Sequence, residues 1–276
     1  MYCDYYGFSE EPFDITPDPS FLYLSPGHEE VLTSIVYGIQ GRRGLMAVIG
    51  EVGTGKTTIL NTALEWLSKK TKVAYVISFD LSFDDLLAMA LVKLGLATTD
   101  QTLSKMDALN RLNEFALKQL ADGGNVAFIV DEAQNLSWRS LENLRLLSNL
   151  ETPKHKLVQI VLSGQPELAV KLDQPEVRQL TQRISLRRYI SPLKEVETYE
   201  YMQHRLEVAG YKGPLLFSQN ARWFIWQFSE GIPRKINILC DNALLIGFRK
   251  HQKRIHTPVV QKALKELRWA PAGAGK

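Results

Sequence analysis

Cysteine is scarce in this chain: Cys3 and Cys240 are the only two in 276 residues. They stand far apart, with no CxxC spacing and no histidine cluster nearby, so neither a disulfide framework nor a zinc site organises the fold. Such usage fits a reducing cytoplasm. Long apolar runs are also lacking, and none approaches the roughly 18–20 residues of a membrane span. The opening Met1-Tyr2-Cys3-Asp4-Tyr5-Tyr6 has neither the basic nor the apolar region of a signal peptide. The chain is therefore expected not to enter a membrane on its own. Charge of one sign is missing too: 33 Lys and Arg stand against 30 Asp and Glu, a formal charge of +3, which by itself does not imply nucleic acid. With 45% apolar and 23% charged residues, the sequence describes a soluble globular protein, long enough for one large or two modest domains.

Against that plain background one stretch stands out, Gly50-Glu51-Val52-Gly53-Thr54-Gly55-Lys56-Thr57-Thr58. Leu45-Met46-Ala47-Val48-Ile49 before it reads as a buried strand. Residues 57–69 after it read as a helix with Ile59, Ala63, Trp66 and Leu67 on one side. Strand, glycine-rich turn and helix together make a phosphate-binding loop. Glycines let the backbone fold around a polyphosphate, N–H groups point inward, and the positive end of the helix dipole faces the anion. In this arrangement Lys56 reaches the β- and γ-phosphates of a nucleotide and Thr57 ligates Mg²⁺.

Further strands are expected at 73–77, 126–130, 157–162 and 184–190, with helical segments between them. Ser82, Ser104 and Ser137 read as N-caps. Apolar runs alternating with helices predict an α/β fold, a five-stranded parallel sheet flanked by helices. Beyond Pro192 the pattern changes to helices alone, at 194–209, 219–228, 233–250 and 258–269, which predicts a second, all-helical domain. The boundaries expected are 1–190, 191–269 and a small-residue tail at 270–276. Residues 1–27, rich in aromatics and proline, read as an irregular arm that either covers a sheet or domain edge or forms part of an adenine pocket.

The third strand runs into Asp131-Glu132-Ala133-Gln134. An acidic residue at the carboxyl end of a parallel strand beside a phosphate loop sits where ligands bind in open α/β sheets. Asp131 can help hold Mg²⁺ there, directly or through water, and Glu132 can polarise the attacking water. Gln165, just after the fourth strand, is placed as a sensor of hydrolysis. The basic segment 249–254 with His256 reads either as a solvated helix end and turn or as an anionic-surface site.

These motifs, with Gly231-Ile232-Pro233-Arg234-Lys235-Ile236-Asn237 in the helical part, resemble the AAA+ ATPases. More narrowly, Tyr5-Tyr6-Gly7-Phe8, Glu11-Pro12-Phe13, Thr16-Pro17-Asp18-Pro19, Phe21-Leu22-Tyr23-Leu24-Ser25 and Gly164-Gln165-Pro166-Glu167-Leu168 resemble the ATPase domain of the general secretion pathway protein A, or ExeA-like, family. The resemblance implies a helical lid domain, a homo-oligomeric ring or filament and ATP at subunit interfaces. It also implies a lid arginine, matched by Arg234, and an arginine finger from the neighbouring subunit, for which Arg183 is the first choice and Arg178 the second. The implied partner is an inner-membrane or secretion-apparatus protein, and the implied location is the cytoplasm at the inner face of a bacterial inner membrane. Members of that family commonly continue into a membrane span and a peptidoglycan-binding part, which are not found in this sequence. Two other readings compete: a nucleic-acid-linked regulator like the ATPases that escort transposases, and a nucleotide-gated scaffold with negligible turnover.

Overall fold

The computed structural model describes residues 2–16 and 18–269; the expected flexible tail at 270–276 lies outside the described residues. In chain order the elements are α1 (Tyr2–Tyr6), α2 (Pro26–Gln40), β1 (Leu45–Gly50), α3 (Lys56–Trp66), β2 (Thr71–Ile77), α4 (Phe83–Lys93), α5 (Lys105–Ala121) and β3 (Asn125–Asp131). Then come α6 (Trp138–Ser148), β4 (Val158–Gly164), α7 (Pro166–Leu172), α8 (Arg178–Thr181), β5 (Ile184–Ile190), α9 (Glu195–Val208), α10 (Gln219–Ser229), α11 (Pro233–Arg249) and α12 (Thr257–Glu266).

All five strands are parallel, in the order β2-β3-β4-β1-β5. Composition explains which strands are central. Every residue of β1, β3 and β4 is buried, whereas β2 and β5 carry Thr71, Lys72, Arg187 and Arg188 and are partly exposed at the two edges. Strands covered on both faces must be apolar along their whole length. The helices between them begin as the sequence predicts: Ser82, Ser104 and Ser137 accept hydrogen bonds from the backbone N–H groups of Asp85, Asp107 and Ser140. Each bond satisfies a donor that has no partner inside its helix. The short α7 is not foreseen from periodicity; Pro166 at its first position supplies the start. Trp66, expected on the packed side of α3, is half exposed because it falls on the last residue of the helix.

Two compact units divide the described residues, one spanning 26–52 and 59–190, the other 2–16, 18–25, 53–58 and 191–269. The α/β unit buries Leu45, Ala47 and Ile49 of β1, Phe128 and Val130 of β3, and Ile160 and Leu162 of β4 against residues of α4 to α8.

The helical unit is not contiguous in sequence: it begins again at residue 191, at the expected boundary, and groups residues 1–25 with the helices that follow. The aromatic arm contributes Tyr2, Tyr6, Phe8, Phe13 and Phe21 to one core with Leu206, Phe217, Ile236, Cys240 and Ile255. Phe13 is 1% exposed and meets Phe217 edge to face. Tyr2 donates to Asp241 Oδ1 at 2.6 Å, and Arg205 donates to the carbonyls of Pro12 and Asp14. The physical reason is supply of apolar area: amphipathic helices present one buried stripe each, and the arm's rings fill the centre they leave. No helix among the described residues is long and apolar enough to cross a membrane.

Candidate nucleotide-binding and catalytic site

Three strand ends define the candidate site in the α/β unit. Because β4 lies between β1 and β3, with Ile49 opposite Gly164 and Val130 opposite Leu162, the carboxyl ends of all three strands come to one edge of the sheet. From that edge β1 continues into the phosphate loop, β3 into Asp131-Glu132 and β4 into Gln165. Asp131, Glu132 and Gln165 are thereby brought to one edge of the sheet.

Asp131 is 2% exposed and its two oxygens point in different directions. Oδ1 accepts from the backbone N–H of Glu132 at 3.0 Å, and Oδ2 accepts from the hydroxyl of Tyr75 at 2.6 Å. Tyr75 sits on β2, where it pairs with Ile129 of β3. A period-two reading of β2 carries no sign of this role, since it requires knowing that β3 is the neighbouring strand.

Glu132 leaves the strand direction abruptly, at φ 54 and ψ 36 in the left-handed region, ahead of a 3₁₀ turn at Ala133–Asn135. A non-glycine residue in this region is strained and is worth a functional question. Its carboxylate is then held by two amides. Gln134 Nε2 donates to Oε2 at 2.6 Å and Gln165 Nε2 donates to the same oxygen at 3.2 Å. Gln134 is the residue in this cluster that motif reading passed over.

The phosphate loop has the backbone its glycines predict, with Gly53 at φ +81° and Gly55 at φ +97°. Other residues enter this region only at a cost. Glu51 and Val52 are exposed, Thr54 is buried, Lys56 is 6% exposed and opens α3, and Thr57 and Thr58 follow within its first turn. A buried lysine at the start of a helix, preceded by left-handed glycines, fits a polyphosphate and little else. Among the described residues no group of three or more His, Cys, Asp or Glu could hold a metal. The hydroxyl of Thr57 and the carboxylate of Asp131 are hard oxygen donors of the kind Mg²⁺ takes, one or two from protein and the rest from nucleotide phosphates and water.

In the helical unit, Arg234 lies at the second position of α11, beside residue 53 of the loop. Its backbone N–H donates to Gly53 O at 3.2 Å. A Cβ on Gly53 would come within 2.6 Å of the Arg234 Cβ and 3.3 Å of Ile232 Cγ2. Arg183 is placed elsewhere. It precedes β5, at the amino end of the sheet, roughly 20 Å of strand from the carboxyl end where Asp131 stands. It is half buried, with Nη1 3.4 Å from Ser148 Oγ, whereas Arg178 at the start of α8 is exposed. Residues 249–254 form the exposed end of α11 and its following turn, where Lys253 stacks over the ring of Tyr5 at 3.6 Å.

Comparison with known proteins decides the family. Residues 39–172 match the AAA domain family. General secretion pathway protein A of Aeromonas hydrophila is 41% identical over 255 residues, 92% of this chain and 46% of that protein. The chain is an AAA+ protein similar to general secretion pathway protein A. This AAA+ chain spans about half the length of that relative. Its fold is shared with Cdc6p of Pyrobaculum aerophilum, at TM-score 0.71 and 18% identity over 92% of this chain and 70% of that one. It is shared also with the ORC2 protein of Aeropyrum pernix, solved as ADPNP–ADP complexes, at TM-score 0.65 and 18% identity over 94% of this chain and 72% of that one.

Proposed function

We propose that this chain binds and hydrolyses ATP at interfaces between its own copies and uses the cycle to assemble or remodel a secretion, pilus or other envelope apparatus. The observation that carries the proposal is the carboxylate of Glu132, fixed by two amide donors at the sheet edge from which β1 feeds the phosphate loop. A pure nucleotide store has no use for a positioned carboxylate there. The general secretion relative supports the choice of client, and the adenine nucleotides of the ORC2 structure support the choice of nucleotide.

In this reading, residues 50–55 with Thr58 wrap the phosphates and Lys56 neutralises charge between them. Glu132 orients the attacking water, and Gln165 reads the state of the γ-phosphate. Thr57 and Asp131, with nucleotide and water, would hold Mg²⁺, which would supply charge stabilisation of the transferring group. Arg234 takes the part of the lid arginine, and an arginine finger, Arg183 or Arg178, comes from the neighbouring copy. The protein would act on the cytoplasmic side of a bacterial inner membrane.

Steady-state phosphate release over a range of protein concentrations is the test. Interface catalysis rises faster than linearly with concentration. Glu132→Gln is expected to bind ATP without turning it over, and Lys56→Ala to lose binding. Undiminished turnover by Glu132→Gln would sink the assignment, and negligible turnover by the wild type would favour a nucleotide-gated scaffold. The exposed basic turn at 249–254 motivates a second reading, ATP-dependent binding to DNA. A steep loss of duplex affinity with salt would favour it.

A further inference from the structure

The polar contacts around Glu132 are not symmetric, and the asymmetry singles out Gln134. Its side-chain amide makes bonds at both ends: Nε2 to Glu132 Oε2 at 2.6 Å, and Oε1 from the backbone N–H of Gln165 at 3.1 Å. The two bonds fix which end of the amide is which. A backbone N–H can only donate, so the oxygen of Gln134 must face Gln165 and the NH₂ must face the carboxylate. Gln134 is thus a strut between the end of β3 and the end of β4.

Its mounting is equally specific. Lys171 Nζ donates to the carbonyls of Gln134 and Leu136, at 2.6 and 2.8 Å, pinning the turn that carries the strut. Gly164, the last residue of β4, leaves the space it occupies, since a Cβ there would lie 2.8 Å from Gln134 Oε1. Both amides that reach Glu132 end on Oε2, so Oε1 is the oxygen that can accept from a water. Because the N–H that anchors Gln134 and the side chain that reaches Glu132 both belong to Gln165, a shift of that residue would alter both donors to Glu132 together.

We propose that Gln134 is a positioning residue, which aims Glu132 by holding Oε2 and ties that aim to the segment bearing Gln165. The proposal rests on the hydrolytic reading above and extends it to a residue that would touch neither nucleotide nor water. Misplacing a catalytic group by about 1 Å can cost on the order of 100-fold in rate.

The experiment uses the full chain with Gln134→Met, close in shape and unable to make either bond. Gln134→Glu serves as a second variant that keeps the acceptor for Gln165 and replaces the donor. Both are expected to lower kcat about 10- to 100-fold, while the dissociation constant for a fluorescent ATP analogue stays within about twofold. Neither substitution should reduce the residual single-turnover rate further in a Glu132→Gln background, because a residue acting through Glu132 has nothing left to act on. Wild-type kcat in both variants overturns the proposal and leaves the hydrolytic reading standing. So does a parallel loss of nucleotide affinity, or an additive loss in the double variants. Failure of the hydrolytic reading shows differently, as full turnover by Glu132→Gln alone.

Discussion

The hydroxyl of Tyr75, on edge strand β2, donates to Asp131 Oδ2 at 2.6 Å. The side chain read as the magnesium-bearing carboxylate is thus aimed by its neighbour strand. Hydrogen bonds to charged groups contribute roughly 1.5–3 kcal/mol. Tyr75→Phe is therefore expected to weaken nucleotide affinity several-fold in the presence of Mg²⁺ and to leave affinity in excess chelator unchanged. Titrations of a fluorescent ATP analogue under the two conditions decide it, and coincident metal dependence in variant and wild type would refute it.

Gly53 couples the phosphate loop to the start of α11 through Arg234. Alanine there would have to adopt φ +81° and would push its Cβ against that of Arg234. The left-handed backbone alone costs about 1–2 kcal/mol. Gly53→Ala should lower the thermal midpoint and weaken ATP binding about 10-fold or more, whereas Lys56→Ala should weaken binding by removing charge. Calorimetry beside binding separates the two causes.

Arg178 is exposed, while Arg183 is half buried against Ser148, and an arginine that enters a neighbouring subunit must project. On exposure alone we propose testing Arg178 beside Arg183, the first choice by resemblance. Arg178→Ala is expected to lose turnover by about 10³-fold and keep nucleotide affinity. Activity should return when it is mixed with Glu132→Gln subunits, since each supplies what the other lacks. A silent Arg178→Ala with an inactive Arg183→Ala would assign the role to Arg183.

Arg205 holds the arm to the helices. Its guanidinium bonds the carbonyls of Pro12 and Asp14 and the hydroxyl of Tyr201, and lies over the ring of Phe21 at 4.6 Å. Arg205→Ala should cost about 2–4 kcal/mol in denaturant unfolding. Arg205→Lys should recover only part of it, because an ammonium lacks the planar fork.

Much of the candidate site was legible because its signals are local. The phosphate loop needs its glycines and lysine within a few residues, and the order strand, acidic pair, turn places Asp131 and Glu132 without knowledge of neighbours. Gln134 stands in the same run of four residues, yet its meaning depends on a bond to Gln165, 31 positions later. Tyr75 depends on Asp131 across 56 positions. Neither follows from period or motif.

By itself, then, the sequence determined the strands, the helices with their serine caps, the parallel sheet and the chemistry of the loop. These rest on periodicity, capping and turn geometry, which act over a few residues. Only the tertiary structure decided that β4 inserts between β1 and β3, that the arm joins helices some 200 positions away, and which oxygen of Glu132 is held. Those outcomes are set by burial and by hydrogen bonds between distant segments, and they become defined only once the core has closed around them.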